Sequence, residues 1–212
     1  MNKATYFDLD GTFIKVNSFH AWVKILIFGQ HNASVWFRVR IALYAFSRVI
    51  RARSHTDVKA SISKAFENIE RDLQSEIIHL FLPVINKEVN CGVLNLLQKK
   101  RAEGERCVLA TAAPIYYARP FSKLFKFDGV IASTINIETI KSEKEREIKR
   151  DATLHKINEW TIVTDHKDDL PSINSSSVAV WIGSAMEAKE IILQSDGKSS
   201  SSELSDGIYE IK

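Results

Sequence analysis

Hydrophobic positions recur along this chain with two different periods, and the change between them divides the sequence. Lys3–Phe7 is a short apolar run, and its length and composition predict a buried strand. Beyond it the spacing turns helical. Phe19, Trp22, Val23, Leu26 and Ile27 fall at i, i+3, i+4, i+7 and i+8, one stripe of a helix. Trp36, Val39, Leu43, Phe46 and Ile50 repeat a similar spacing. Val58, Ile62, Phe66 and Ile69 form a third stripe, with Thr56-Asp57 as its start. Ile77–Ile85 makes a fourth, interrupted by Pro83. All of these stripes are expected to be helix core.

From about residue 88 the pattern alternates. A helix over Val93–Arg101 ends near Gly104, and a compact apolar strand over Cys107–Ala112 closes on "TAAP". Helix is predicted over Ile115–Phe125, strand over Val130–Ser133, a short hairpin over Ile135–Ile140 and a charged helix over Glu143–Glu159. Strands over Thr161–Thr164 and Val178–Ile182 follow. Strands alternating with helices predict an α/β fold with a parallel sheet covered on both faces. The core would comprise residues 1–14 and 87–194, split by an all-helical insert over 15–86. The "SDGKSSSSELSDG" stretch is of low complexity, and 195–212 is expected to be a flexible Ser-rich tail.

Charge changes this picture in one place. The net charge is only +3, yet Phe13 to Thr56 carries seven Lys/Arg and no Asp or Glu. The block is either a solvated face balanced by acids elsewhere or a surface for an anionic partner. Ala33–Ile50 is the most membrane-like stretch, but Arg38, Arg40 and Arg48 interrupt it. Each central Arg costs about 2.5–3.5 kcal/mol on insertion, which argues against a span and leaves room for lying on a membrane. Acids at positions 8 and 10 argue against a secretory signal. The two cysteines, Cys91 and Cys107, are too few for a disulfide framework. A cytoplasmic location is expected, either free or peripheral to the inner face of the membrane.

Candidate chemistry gathers where strands end. The first strand runs into "DLDGT", putting two like charges, Asp8 and Asp10, at its mouth. Another predicted strand ends at Thr111 and another at Asp165. Open parallel sheets bind ligands at the carboxyl ends of their strands. An oxygen-rich crevice of this kind suits Mg²⁺, which would offset the repulsion between the acids.

The order strand–Asp-Leu-Asp-Gly-Thr, strand–Thr-Ala-Ala-Pro, a Lys, then strand–Thr-Asp-His-Lys-Asp-Asp-Leu-Pro resembles the haloacid dehalogenase-like (HAD) phosphohydrolases. More narrowly it is similar to the phosphoserine phosphatase-like branch, which inserts a helical cap after the first motif. The resemblance spans roughly 4–185 and implies a Rossmann-like three-layer core with that cap. It implies a Mg²⁺-dependent phosphatase in which Asp8 attacks phosphorus to give an aspartyl-phosphate. Asp10 would act as acid and then base. Gly11, Thr12, Thr111 and Ala112 would bind the phosphoryl oxygens. Asp8, the Asp10 carbonyl and Asp165 would hold the metal, with Asp169 keeping that shell in place. The lysine that neutralises the phosphoryl group would be Lys144, in the first turn of a helix capped by Ser142 with Glu145 completing a capping box; Lys149 is the alternative. His166 stands where relatives often carry a small residue.

A cap suits a small phosphorylated metabolite or a lipid phosphate. Phosphoserine itself is disfavoured, because no acid follows the first motif before Asp57. Trp22, Trp36, Phe37 and Tyr44 beside Arg38, Arg48 and Arg51 either form cap core or meet a lipid headgroup at a membrane surface. No nucleic-acid partner is expected, since no aromatic–basic strand motif is present. Two alternatives keep the fold: a phosphotransferase, and a catalytically silent module that binds phosphorylated ligands.

Overall fold

Tyr6 and Phe7 are adjacent in sequence, both fully buried, and belong to opposite sides of one sheet. In the computed structural model, which describes residues 2–135 and 137–212, that sheet has seven strands. They are β1 (Lys3–Phe7), β2 (Arg106–Pro114), β3 (Gly129–Ser133), β4 (Glu159–Thr164), β5 (Val178–Ile182), β6 (Ser201–Ser205) and β7 (Ile208–Ile211). The order is β3-β2-β1-β4-β5-β7-β6, with β1 to β5 parallel and β7 and β6 antiparallel. Central parallel strands are covered on both faces, so they read as continuous apolar runs.

Nine helices are described: α1 (Ser18–Phe28), α2 (Val35–Val49), α3 (His55–Glu67), α4 (Arg71–Asn86), α5 (Cys91–Ala102), α6 (Ile115–Leu124), α7 (Lys141–Leu154), α8 (Leu170–Ser175) and α9 (Ala185–Gln194). Strand periodicity sorts them into layers. Phe7, Cys107, Leu109 and Val163 pack with α5 and α6, while Tyr6, Val108, Ala110 and Ile162 pack with α7, α8 and α9. Sheet between two helical layers is the α/β arrangement expected. Among the described residues no helix is long and apolar enough to cross a membrane.

The chain leaves the sheet at 13–15 and returns at 88–90, and the two segments are hydrogen-bonded to each other (Lys15 N to Glu88 O, 2.8 Å; Asn90 N to Phe13 O, 2.9 Å). Between them α1 to α4 pack around Trp22, whose ring meets Phe66 at 5.0 Å and Tyr117 of α6 at 5.3 Å. Phe81 closes on Tyr117 at 4.8 Å. The insert therefore shares one apolar cluster with the sheet. Truncating a side chain buried as Trp22 is costs about 3–5 kcal/mol.

The structure corrects several expectations. On α2 the residues facing the interior are Phe37 and Ile41, and the stripe Trp36, Val39, Leu43, Phe46, Ile50 faces out. The helix is apolar on two faces, so spacing alone cannot choose between them. Arg38 makes the choice: its guanidinium donates to the carbonyls of Ile27 (2.8 Å), Gly29 (2.9 Å) and His31 (2.7 Å), fixing the rotation of α2 against the α1 turn. The third helix is capped by Ser54, whose Oγ accepts from Asp57 N, so it starts ahead of Thr56. The charged helix ends at Leu154, and Glu159 already belongs to β4. No strand occurs among the described residues of 135–140; residue 136 lies outside them. The Ser-rich terminus is not a flexible tail. Gly207 turns it back at φ +70°, and Ile208 and Ile211 are buried where β7 pairs with β5.

Candidate active site

Strands β2, β1 and β4 are neighbours, so their carboxyl ends open on one crevice. Asp8 sits there just past β1, tied to β4 by its amide (to Val163 O, 2.9 Å). Its Oδ1 accepts from Lys144 Nζ at 2.8 Å, and the same ammonium donates to Asp169 Oδ2 at 2.8 Å. Thr164 Oγ1 donates to that Asp169 oxygen at 2.6 Å. All three charged side chains are buried. Lys144 enters from the first turn of α7, though not through the expected capping box. The helix begins one residue before Ser142, so Ser142 lies inside the first turn, and Glu145 pairs with Lys149 and Ser175 instead. Lys149 is exposed on the outer face.

Beyond Asp8 the backbone turns sharply. Gly11 has φ +75°, and a Cβ there would stand 2.0 Å from Asp165 Oδ2, so glycine is what lets the Asp165 carboxylate lie against the turn. Thr12 Oγ1 donates to Asp165 Oδ1 at 2.8 Å. Asp10 Oδ1 accepts from Ser18 N, 2.8 Å, at the buried start of α1, where first-turn amides without intrahelical partners favour a negative group. Thr111 Oγ1 accepts from Ala113 N at 3.0 Å, which leaves its own proton free to be donated. Asp168 is half exposed, 3.7 Å from Lys141. His166 has a local structural role: its Nδ1 accepts from Asp168 N at 3.1 Å, capping the short turn over Lys167–Asp169.

Burial dominates the electrostatics. It pushes the Asp8 carboxyl up against the pull of Lys144, and the neighbouring Asp169 and Asp10 add to the rise. Asp10 and Asp165 are likewise raised by burial, opposed by Ser18 and Thr12 respectively. For Lys144 burial works downward, but Asp169 and Asp8 outweigh it and hold the ammonium well above the ordinary lysine range. Four acids thus gather around one ammonium that contacts two of them, Asp8 and Asp169. That all-oxygen, charge-deficient set fits a hard divalent cation. Among the described residues no three acidic, His or Cys side chains stand close enough to hold an ion by themselves.

Sequence reasoning missed the residues that reach the crevice from afar. Lys59 of α3 donates to Glu138 (3.1 Å) and to the Ala112 carbonyl, which also accepts from Ser133 Oγ. Thr56, Lys59, Ser63, Ser133 and Glu138 line a small cavity of about 80 Å³ between α3 and the loop after β3. Glu138 supplies this cavity with an acid from the sheet side, where the stretch between the first motif and Asp57 offers none. Ser18 Oγ and Tyr117 Oη pair at 2.9 Å behind Asp10. A lysine on a helix face and a serine at a helix start carry no distinctive spacing, so neither was visible in the sequence.

Known proteins share this family and fold. Residues 5–173 match the family model described as haloacid dehalogenase-like hydrolase. No curated protein matches the chain in sequence. A protein of unknown function from Bordetella pertussis Tohama I superposes with a TM-score of 0.76 at 15% identity, covering 92% of this chain and 96% of that one. A probable phosphoserine phosphatase from Vibrio cholerae gives 0.65 at 10% identity, covering 90% and 59%. A phosphoserine phosphatase solved as a phospho-aspartyl intermediate analogue gives 0.59 at 13% identity, covering 90% of each chain.

Proposed function

Because the chain belongs to the haloacid dehalogenase-like hydrolases, we propose that it hydrolyses a phosphomonoester through a covalent aspartyl-phosphate on Asp8. The observation that carries this reading is the convergence of Asp8, Lys144 and Asp169 at the carboxyl edge of the sheet. A carboxylate oxygen of Asp8 attacks phosphorus, and the bond from phosphorus to the leaving oxygen breaks. Asp10, its carboxyl raised by burial, carries a proton to that oxygen. Asp10 then takes a proton from the water that attacks the phosphorus of the acyl phosphate. Phosphate leaves and the Asp8 carboxylate is regenerated.

The Thr111 hydroxyl and the amides of Gly11, Thr12 and Ala112 hold the phosphoryl oxygens, while Lys144 balances the charge they bring. Asp8, Asp165 and the main-chain carbonyl of Asp10 would hold Mg²⁺, with Asp169 fixing Lys144 and Thr164 behind them. When bound, the ion supplies charge neutralisation and orients the phosphoryl group. The helices α1 to α4 act as a cap, and the cavity lined by Thr56, Ser63, Ser133 and the Lys59–Glu138 pair takes the start of the leaving group. The substrate is a phosphorylated metabolite or the phosphorylated headgroup of a lipid.

The test is Asp8→Asn assayed on a panel of phosphomonoesters that includes lipid phosphates. Turnover should vanish with the circular dichroism spectrum unchanged, and chelation of divalent metal should stop the unaltered protein. Activity surviving in the Asp8→Asn protein would remove Asp8 as the nucleophile.

A further inference from the structure

The outward face of α2 takes no part in this chemistry. Val35, Trp36, Val39, Leu43, Phe46 and Ile50 are 73, 82, 42, 62, 57 and 57% exposed. At the pitch of an α-helix they fall within about 100° of arc, opposite the buried Phe37 and Ile41. Phe28, at the end of α1, is exposed as well. A contiguous apolar face of this length is an interaction surface rather than ordinary protein exterior.

Its charge surroundings identify the partner. Arg40, Arg48 and Arg51 are exposed and form no ion pair among the described residues. No acid lies between Phe13 and Thr56 to offset them. A second copy of the chain is a poor occupant, because a two-fold contact would set this uniformly basic segment against itself. An anionic surface with an apolar layer beneath it satisfies both properties at once.

We propose that α2 docks on the surface of an anionic lipid bilayer, lying in the interface with its apolar stripe turned toward the acyl chains and Arg40 and Arg51, at the stripe's border, toward the phosphates. At 15 residues, three of them arginine, it is too short and too charged to span. The surface differs from the one expected from the sequence. Of the residues expected to meet a headgroup, Trp22 and Phe37 are buried, Tyr44 is partly buried and Arg38 is spent on backbone carbonyls, leaving Trp36, Arg48 and Arg51. The turn after α2 leads directly into α3, where Thr56 and Lys59 line the cavity. Docking therefore sets that cavity close to the lipid surface. The inference stands independently of the catalytic reading.

The test is co-sedimentation of the whole protein with vesicles of phosphatidylglycerol and phosphatidylcholine, or of phosphatidylcholine alone. Trp36 reports the contact, because Trp22, Trp160 and Trp181 are 0, 8 and 2% exposed. We expect binding to the anionic vesicles at low salt with a blue shift of emission, weakened about tenfold or more at high salt. The double variant Leu43→Asp/Phe46→Asp should lose this binding while keeping its unfolding transition. Arg40→Glu/Arg51→Glu, which leaves the stripe intact, should lose the preference for anionic vesicles. No binding to anionic vesicles at low salt, equal binding to phosphatidylcholine alone, or binding unchanged in Arg40→Glu/Arg51→Glu overturns the proposal. So does self-association through this face, abolished by Leu43→Asp/Phe46→Asp, in a protein that ignores vesicles.

Discussion

Replacing Lys144 by Met removes the one ammonium that contacts Asp8 and Asp169, both at 2.8 Å and both buried. Methionine fills nearly the same volume, so the loss is electrostatic rather than steric. Breaking a buried pair by deleting one partner costs about 3–5 kcal/mol, a large part of a stability of about 5–15 kcal/mol. The pH dependence has a definite sign. Burial raises the Asp8 carboxyl above its unfolded value, so between those values the folded protein binds the proton more tightly and stability falls as pH rises. In the unaltered protein Lys144 opposes that rise. The lysine's own raised value means its contribution is complete below the ordinary lysine range and is lost only in strong alkali. Without the ammonium the Asp8 window extends upward. The cost of Lys144→Met should therefore be smallest near pH 5 and grow toward pH 8. Urea denaturation in a metal-free, chelator-containing buffer at both pH values measures this. A cost below about 1 kcal/mol, or one that does not change with pH, would refute the electrostatic reasoning.

Gly11→Ala should lower turnover by at least about 100-fold and raise the metal concentration needed for activity, because the new methyl must displace the Asp165 carboxylate from φ +75° backbone; steady-state kinetics against added Mg²⁺ checks it. Ile211→Ala should destabilise the protein by about 2–4 kcal/mol in urea, since Ile211 is fully buried; a terminus that merely trailed in solvent would show no change.

What the sequence disclosed and what it hid follow from how local each signal is. β1, β5 and α6 were legible because each is a short run with a single period and clear bounds. Asp8 and Asp165 each follow directly on a strand, and Thr111 lies on β2 three residues before its end at Pro114, ahead of a break in register with β3, so the order β2-β1-β4 sets their three strands side by side. The outward face of α2 was not legible, since a helix with two apolar stripes has no preferred side until Arg38 fixes it. The terminal hairpin was hidden by composition. β6 is Ser-rich and wholly exposed, and only Ile208 and Ile211 anchor the segment to the sheet. Lys59–Glu138 and Ser18–Tyr117 join residues 79 and 99 positions apart, so only the folded chain reveals them.

The most direct test of the account is to quench the protein in acid during turnover of a phosphomonoester and map any phosphorylated peptide by mass spectrometry. A single acid-stable, hydroxylamine-labile phosphoryl group on the peptide containing Asp8, absent in Asp8→Asn, is the predicted result. Steady turnover with no phosphorylated Asp8, or with the group on another residue, would contradict it.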